Sequence, residues 1–180
     1  LDACKDGRLT AEPEVVISNN SGSQALARAR RAGVPAYHLS GKTHPKLDDL
    51  DAAILDVLHR HEVNLVILAG YMRLLGPKTI ATYQRRILNI HPALLPSFGG
   101  KGLYGPAVHE AVLAAGDSVT GVTIHVVDEQ FDRGPILAQV TVPVEKDDTT
   151  ESLAGRVLAQ EHLLFVETLQ QIERGELELP

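Results

Sequence analysis

The sequence predicts an α/β protein: an open, mostly parallel, Rossmann-like sheet with helices on both faces and an antiparallel strand pair near the C-terminus. Short apolar or β-branched runs alternate with helical patterns as far as Gly116. Clusters of Gly, Pro, Asn and Ser separate them at intervals that suit βα units. Two runs of period-2 character then come in succession with no helix between, which fits an antiparallel pair added to a parallel sheet.

Taken in order, Val15-Val16-Ile17-Ser18 reads as a strand, and Asn19-Asn20-Ser21-Gly22 closes it and can cap a helix. Gln24 to Arg31 is that helix, stopped at Gly33 with Pro35 just beyond. Ala36 to Leu39 is a short strand. Leu47 to His61 sets Leu47, Leu50, Ile54, Leu55 and Leu58 at helical spacing, and Val63 to Ala69 has the length and apolarity of a buried strand. Leu75 to Tyr83 reads as a helix, Arg86 to His91 as a strand, and Pro106 to Ala115 as a helix begun by proline and stopped by Gly116. Val119 to Val127 and Ile136 to Val144 form the strand pair, joined by the turn-rich Asp128 to Pro135. Asp148-Thr149-Thr150-Glu151 opens the last helix with a capping-box pattern, and Gly175 closes it. No repeat or linker interrupts the chain, so residues 1–180 are expected to form one domain.

Composition narrows the function. The 17 Lys and Arg against 23 Asp and Glu give a net charge of −6, with no basic block of the kind that phosphate backbones or anionic lipids require. A nucleic-acid or membrane partner is therefore not expected, and no stretch reaches membrane-span length. One cysteine, Cys4, forbids an intrachain disulfide and a thiolate-rich metal site and suits the cytoplasm. Leu1 to Gly7 has neither an initiator Met nor a signal-peptide core and reads as a chain entered midway.

Asn89 and His91 end a strand, and alternation projects both from one face while Ile90 points away. Pro92 and Pro96 stop the strand at once and stiffen the loop beyond it. The pair can be catalytic, or can simply satisfy a strand end. A second cluster, His125, Asp128, Glu129 and Asp132, lies where the next strand breaks into an acidic loop before Gly134-Pro135; such acids are solvated in most turns. If Asp132 meets His91, its carboxylate would hold the imidazole's tautomer and favour the protonated ring. Glu161 falls on an apolar helical stripe with Leu153, Val157 and Leu164, where it either lies at the solvated edge or binds ligand hydroxyls. Gly100-Lys101-Gly102-Leu103-Tyr104-Gly105 matches a dinucleotide fingerprint but comes after a proline-broken segment, so it reads as a glycine-rich loop. His59 and His61 point apart on a helix, which disfavours a metal. By spacing alone, Met72 is a core gap-filler.

At NIHPALLPSF together with GVTIHVVDEQFDRGPIL the chain resembles the folate-dependent formyltransferases, most nearly those acting on glycinamide ribonucleotide in purine synthesis. VISNN, LVILAGYMRLL and VLAQEHLLFVETLQQIERGEL resemble the same family in the same order. The resemblance implies transfer of a formyl group from the co-substrate 10-formyltetrahydrofolate to the amine of glycinamide ribonucleotide, with no metal. It puts Asn89, His91 and Asp132 at the catalytic positions. Met72, Arg73, Leu74, Leu75, Asn89, Val127, Asp128 and Asp132 fall at folate-binding positions, which reverses the core reading of Met72. Gly70, Met72, Pro92 and Glu161 fall at positions near the amine substrate. A homodimer is compatible with the family. Formyltetrahydrofolate deformylase resembles the same core, but its loop carries a second His and a Phe where this chain reads Pro92-Ala93-Leu94. Methionyl-tRNA formyltransferase adds a basic extension. A folate-binding remnant without catalysis is the non-enzymatic alternative. Family members begin with a strand and a Gly/Ser/Asn-rich phosphate loop upstream of the segment matching LDACKDG, so the chain is expected to be N-terminally truncated and to lack the first strand.

Overall fold

A computed structural model describes all 180 residues. In chain order the elements are α1 (Asp2–Lys5), β1 (Val16–Ser18), α2 (Gln24–Arg31), β2 (Ala36–His38), α3 (Leu47–Arg60), β3 (Val66–Leu68), α4 (Pro77–Thr82), β4 (Ile87–His91), α5 (Pro106–Ala115), β5 (Val119–Val126), β6 (Ile136–Pro143) and α6 (Thr150–Glu173). The alternation expected from the sequence is present, as are the parallel and antiparallel strands. The strands make two sheets rather than one: β1 and β2 pair in parallel, and a second sheet runs β3-β4-β5-β6. Antiparallel pairing begins a strand earlier than expected, since β4 as well as β6 is antiparallel to β5. Hydrophobic patterning identifies strands but not their neighbours, which is why the division into sheets was not legible. No helix is long and apolar enough to cross a membrane.

The chain divides into two compact units, residues 1–66 with 73–84, and residues 67–72 with 85–180. In the first unit, Ser23 caps α2 through the Leu26 N–H, and Leu26 and Ala29 are buried. α3 buries Leu50, Ile54, Val57 and Leu58 but leaves Leu47 78% exposed, because Leu47 is the first residue of the helix, ahead of the buried stripe. The stripe also carries Asp51, only 3% exposed. Its carboxylate accepts from the Lys78 N–H at 2.8 Å, the Thr79 N–H at 3.1 Å and the Thr79 hydroxyl at 2.6 Å, so a side chain from α3 satisfies the free N–H groups that begin α4. The residue before Pro77 must be Gly76, since a Cβ there would collide with the Asp51 carboxylate.

In the second unit, β5 is buried on both faces from Thr120 onward. One face packs α5 and α6 through Val112, Val122, Val142, Leu153 and Val157, and Ile90 of β4 joins that cluster. Thr149 and Ser152 close a reciprocal capping box on α6, while Arg156 forks onto Asp148 at 2.7 and 2.9 Å and holds that carboxyl far below its ordinary range. Because Ile90 faces the helices, Asn89 and His91 emerge on the opposite face, as alternation requires.

Replacing Asp51 with Ala orphans two N–H groups and a buried hydroxyl. Chemical denaturation of Asp51→Ala protein is expected to show a loss of about 2–4 kcal/mol relative to wild type.

Candidate active site

The site forms where β4 ends. Asn89 pairs across the sheet with His125, and His91 with Thr123, so all four side chains share the face away from α5 and α6. A register shift between Ile124 and His125 puts His125 opposite Ile136, and bulges of this kind re-aim a side chain near functional sites. The Nδ1–H of His125 donates to the Val126 carbonyl at 3.0 Å, so the neutral ring presents Nε2 as acceptor to the Asn89 amide at 3.1 Å.

Asp132 arrives from the loop after β5. Its Oδ1 lies 3.4 Å from His125 Nε2 and its Oδ2 3.8 Å from His91 Nδ1, and the Gly100 N–H donates to Oδ2 at 2.9 Å. Asp132 has φ +54, a left-handed conformation costing about 1 kcal/mol or more that only such fixed contacts sustain. Gly99 has no side chain because a Cβ would strike Leu95 and press on Asp132 at 3.2 Å. Gly134 likewise lies directly against the Val126 carbonyl, which fixes the exit from the loop.

His91 is 4% exposed, and its Nε2–H donates to the Phe98 carbonyl at 2.8 Å. Burial pulls its pKa down; the Asp132 charge and the Phe98 carbonyl pull it up; His125 adds a smaller downward push. The net direction is down from 6.5, so the ring is neutral at pH 7. Asp132 favours the imidazolium as the sequence suggested, but burial outweighs it. For Asp132 itself burial works upward, yet the contact with His125, the Gly100 N–H and the neighbouring imidazoles hold the carboxyl below its ordinary value.

The other residues singled out in the sequence occupy varied surroundings. Gly70 has φ +73, a glycine conformation, and Met72 is half exposed with its methyl against Gly105 at the start of α5, so it is not a core filler. Pro92 comes directly after His91. Val127 donates to the Ile87 carbonyl at 2.8 Å, and Asp128 accepts from Gln130 N–H at 2.8 Å in a side-chain turn. Glu161 is half-buried on α6 with no hydrogen bond or ion pair, and burial pushes its pKa up. Arg73, Leu74 and Leu75 belong to the first unit. There Leu75 is buried, Leu74 is exposed, and Arg73 lines a cavity of about 260 Å³ with Asn19, Ser21, His38 and Lys42. His59 and His61 separate as expected, His59 beside Tyr83 and His61 bonded to the Tyr37 hydroxyl.

Sequence reasoning grouped His125 with the acidic loop but assigned it nothing, and missed the Phe98 carbonyl, the Gly100 N–H and His109. His109 on α5 is buried, its Nδ1 makes no hydrogen bond, and burial, with a smaller contribution from nearby His91, lowers its pKa. The GGKG segment holds the signal for Gly100, whereas the partner of His125 is set by strand register, which local sequence does not carry.

Because Asp132 pulls His91 upward, Asp132→Asn is expected to move the His91 titration, followed by NMR, still further below 6.5; an unchanged midpoint disproves the coupling. A histidine whose folded pKa is depressed leaves the unfolded chain to take up protons first as pH falls below 6.5. The urea midpoint is therefore expected to drop between pH 7 and 5, and to drop less in His91→Gln protein.

Comparison with known proteins gives concordant matches. The family model described as "Formyl transferase" matches residues 1–169. The chain is 45% identical over 173 residues to a chloroplastic phosphoribosylglycinamide formyltransferase of Vigna unguiculata, covering 95% of this chain and 55% of that protein. It is 36% identical to the phosphoribosylglycinamide formyltransferase of Haemophilus influenzae, over 99% of this chain and 82% of that one. Among solved structures, glycinamide ribonucleotide transformylase 1 from Symbiobacterium toebii superposes with a TM-score of 0.89 at 41% identity, over 97% of this chain and 80% of that one. The chain thus spans little more than half the length of the plant relatives it matches, at 55% and 59%.

Proposed function

The chain belongs to the formyl transferase family, and on that footing we propose that it transfers a formyl group from 10-formyltetrahydrofolate to the amine of glycinamide ribonucleotide in purine biosynthesis. The observation that carries the reading is the convergence of Asn89, His91 and Asp132, from segments far apart in sequence, on one polar patch at the end of β4. Residues 1–180 would act as one catalytic formyltransferase domain, with small-molecule substrates as partners, a homodimer compatible with it, and a cytoplasmic setting suited to the acidic charge and single cysteine.

The co-substrate supplies the formyl group, and attack by the amine forms a C–N bond while the bond to N10 breaks and N10 takes a proton in place of the one the amine loses. Asn89 has one amide hydrogen on His125 and a second free for the oxyanion that develops on the formyl oxygen. His91 keeps Nε2–H on Phe98, so its donation to the oxyanion runs through Nδ1, which bears a proton only in the imidazolium. Asp132, a carboxylate at neutral pH, stabilises that imidazolium and accepts the proton leaving the attacking nitrogen. Glu161 fits ribose hydroxyls because a desolvated carboxylate without a protein partner gains from accepting them. Met72 presents an exposed apolar surface suited to the flat pterin and the amine substrate. Gly70, Pro92, Val127 and Asp128 complete the proposed contacts in this unit. The folate contacts of Arg73, Leu74 and Leu75 rest on the resemblance.

An absorbance assay of folate product decides the reading: formation that depends on glycinamide ribonucleotide is expected. Product without the amine marks a hydrolase, and none under either condition marks an inert binder. Asn89→Ala and His91→Ala are each expected to lower turnover about 10²-fold to 10³-fold with folate affinity within a few-fold. Near-normal turnover in His91→Ala protein removes His91 from the mechanism.

A further inference from the structure

The segment from Pro92 to Phe98 leaves the sheet at His91 and returns to put a carbonyl on the same imidazole. Its backbone polar groups at Ala93 and Leu95 must find partners without a strand to pair with. Side chains of the next two strands supply them. His91 pairs with Thr123 and Thr123 with Gln139, so the three form one cross-strand row on one face. The Thr123 hydroxyl, fully buried, donates to the Ala93 carbonyl at 2.7 Å and accepts from the Leu95 N–H at 3.0 Å. Gln139 Nε2 donates one hydrogen to that hydroxyl at 2.8 Å and the other to the Leu95 carbonyl at 3.0 Å. A hydroxyl has one donor and two acceptor sites, and an amide nitrogen has two hydrogens, so both groups are saturated and their orientations are fixed. Two residues before Thr123 on the same face of β5, Gly121 has no room for a Cβ between the Val140 carbonyl and Leu94, so the loop is seated by shape as well.

We propose that Gln139 and Thr123 are positioning residues for His91. Together they clamp the loop so that the Phe98 carbonyl stays on Nε2 and Nδ1 is the nitrogen turned toward Asp132. This rests on the proposed role of His91, but its geometric content is independent of turnover. Gln139 lies on the outer strand with its residue largely exposed and only the amide reaching inward, so changing it spares the core. Met at this position keeps the length and removes both donors. Val at Thr123 keeps the shape and removes the hydroxyl; Ser keeps the hydroxyl.

The test is ¹⁵N NMR of the imidazoles, which reports tautomer and titration, alongside steady-state kinetics on Gln139→Met, Thr123→Val and Thr123→Ser proteins. The titratable groups coupled to His91, namely Asp132 and His125, which act on it, and His109, on which it acts, are the same in all of them. In Gln139→Met and Thr123→Val the Nε2–H tautomer is expected to lose its dominance, the His91 midpoint to fall, and kcat to drop about tenfold to a hundredfold with KM within a few-fold. Thr123→Ser is expected to retain the wild-type tautomer, midpoint and kcat within a few-fold. An unchanged His91 tautomer and midpoint in Gln139→Met overturns the proposal, and this holds even if Thr123→Val fails to fold. A wild-type protein without formyl transfer refutes the proposed reaction instead, and the imidazole spectra still decide the clamp.

Discussion

A carboxylate removed from water must be compensated by its polar surroundings, and the second unit is arranged around that demand at Asp132. Burial alone would raise its pKa; two imidazoles and a glycine N–H reverse the sign. Around these contacts the chain takes left-handed conformations at Asp132 and at Phe98, and there is no room for a side chain at Gly99. The charge so held then acts on His91, whose own burial works against protonation. The opposition leaves a neutral ring beside a carboxylate, a pair able to exchange a proton when negative charge develops nearby.

That arrangement is possible because the two faces of the sheet have different tasks. Ile90, Val122 and Val142 commit one face to α5 and α6, which leaves the other free for polar groups. On that free face the hydrogen bonds are specific: Asn89 to His125, His91 to the Phe98 carbonyl, the Thr123 hydroxyl to the Ala93 carbonyl, and the Leu95 N–H to the Thr123 hydroxyl. The helical core supplies the stability against which strained backbone in the loops can be held.

Much of this was written in local sequence. Proline and glycine marked the ends of α5 to the residue, and alternation put Asn89 and His91 on one side with Ile90 on the other. Other features depend on distant partners and leave no local trace. Asp51 shares its helical stripe with Leu47 and Ile54, but nothing local gives it a partner, and only the folded chain shows it closing α4. Leu47 looks like the start of a buried stripe and is exposed. The charge state of His91 could not be read from the presence of Asp132, because desolvation is a property of the whole fold. Neither could the strand pairing that sets His125 opposite Asn89, nor the separation of β1 and β2 from the larger sheet.

The Asp51 clamp also bears on how the first unit fluctuates. A helix of six residues ordinarily frays from both ends, and its first amides, lacking intrahelical acceptors, exchange freely with solvent. In α4 the amide hydrogens of Lys78 and Thr79 point into a buried carboxylate carried by another helix. Their exchange requires α3 and α4 to part, so the slow amides of this short helix lie at its beginning. The usual order of fraying is inverted, and the N-terminal turn of α4 reports the opening of the whole helix pair rather than of its own end.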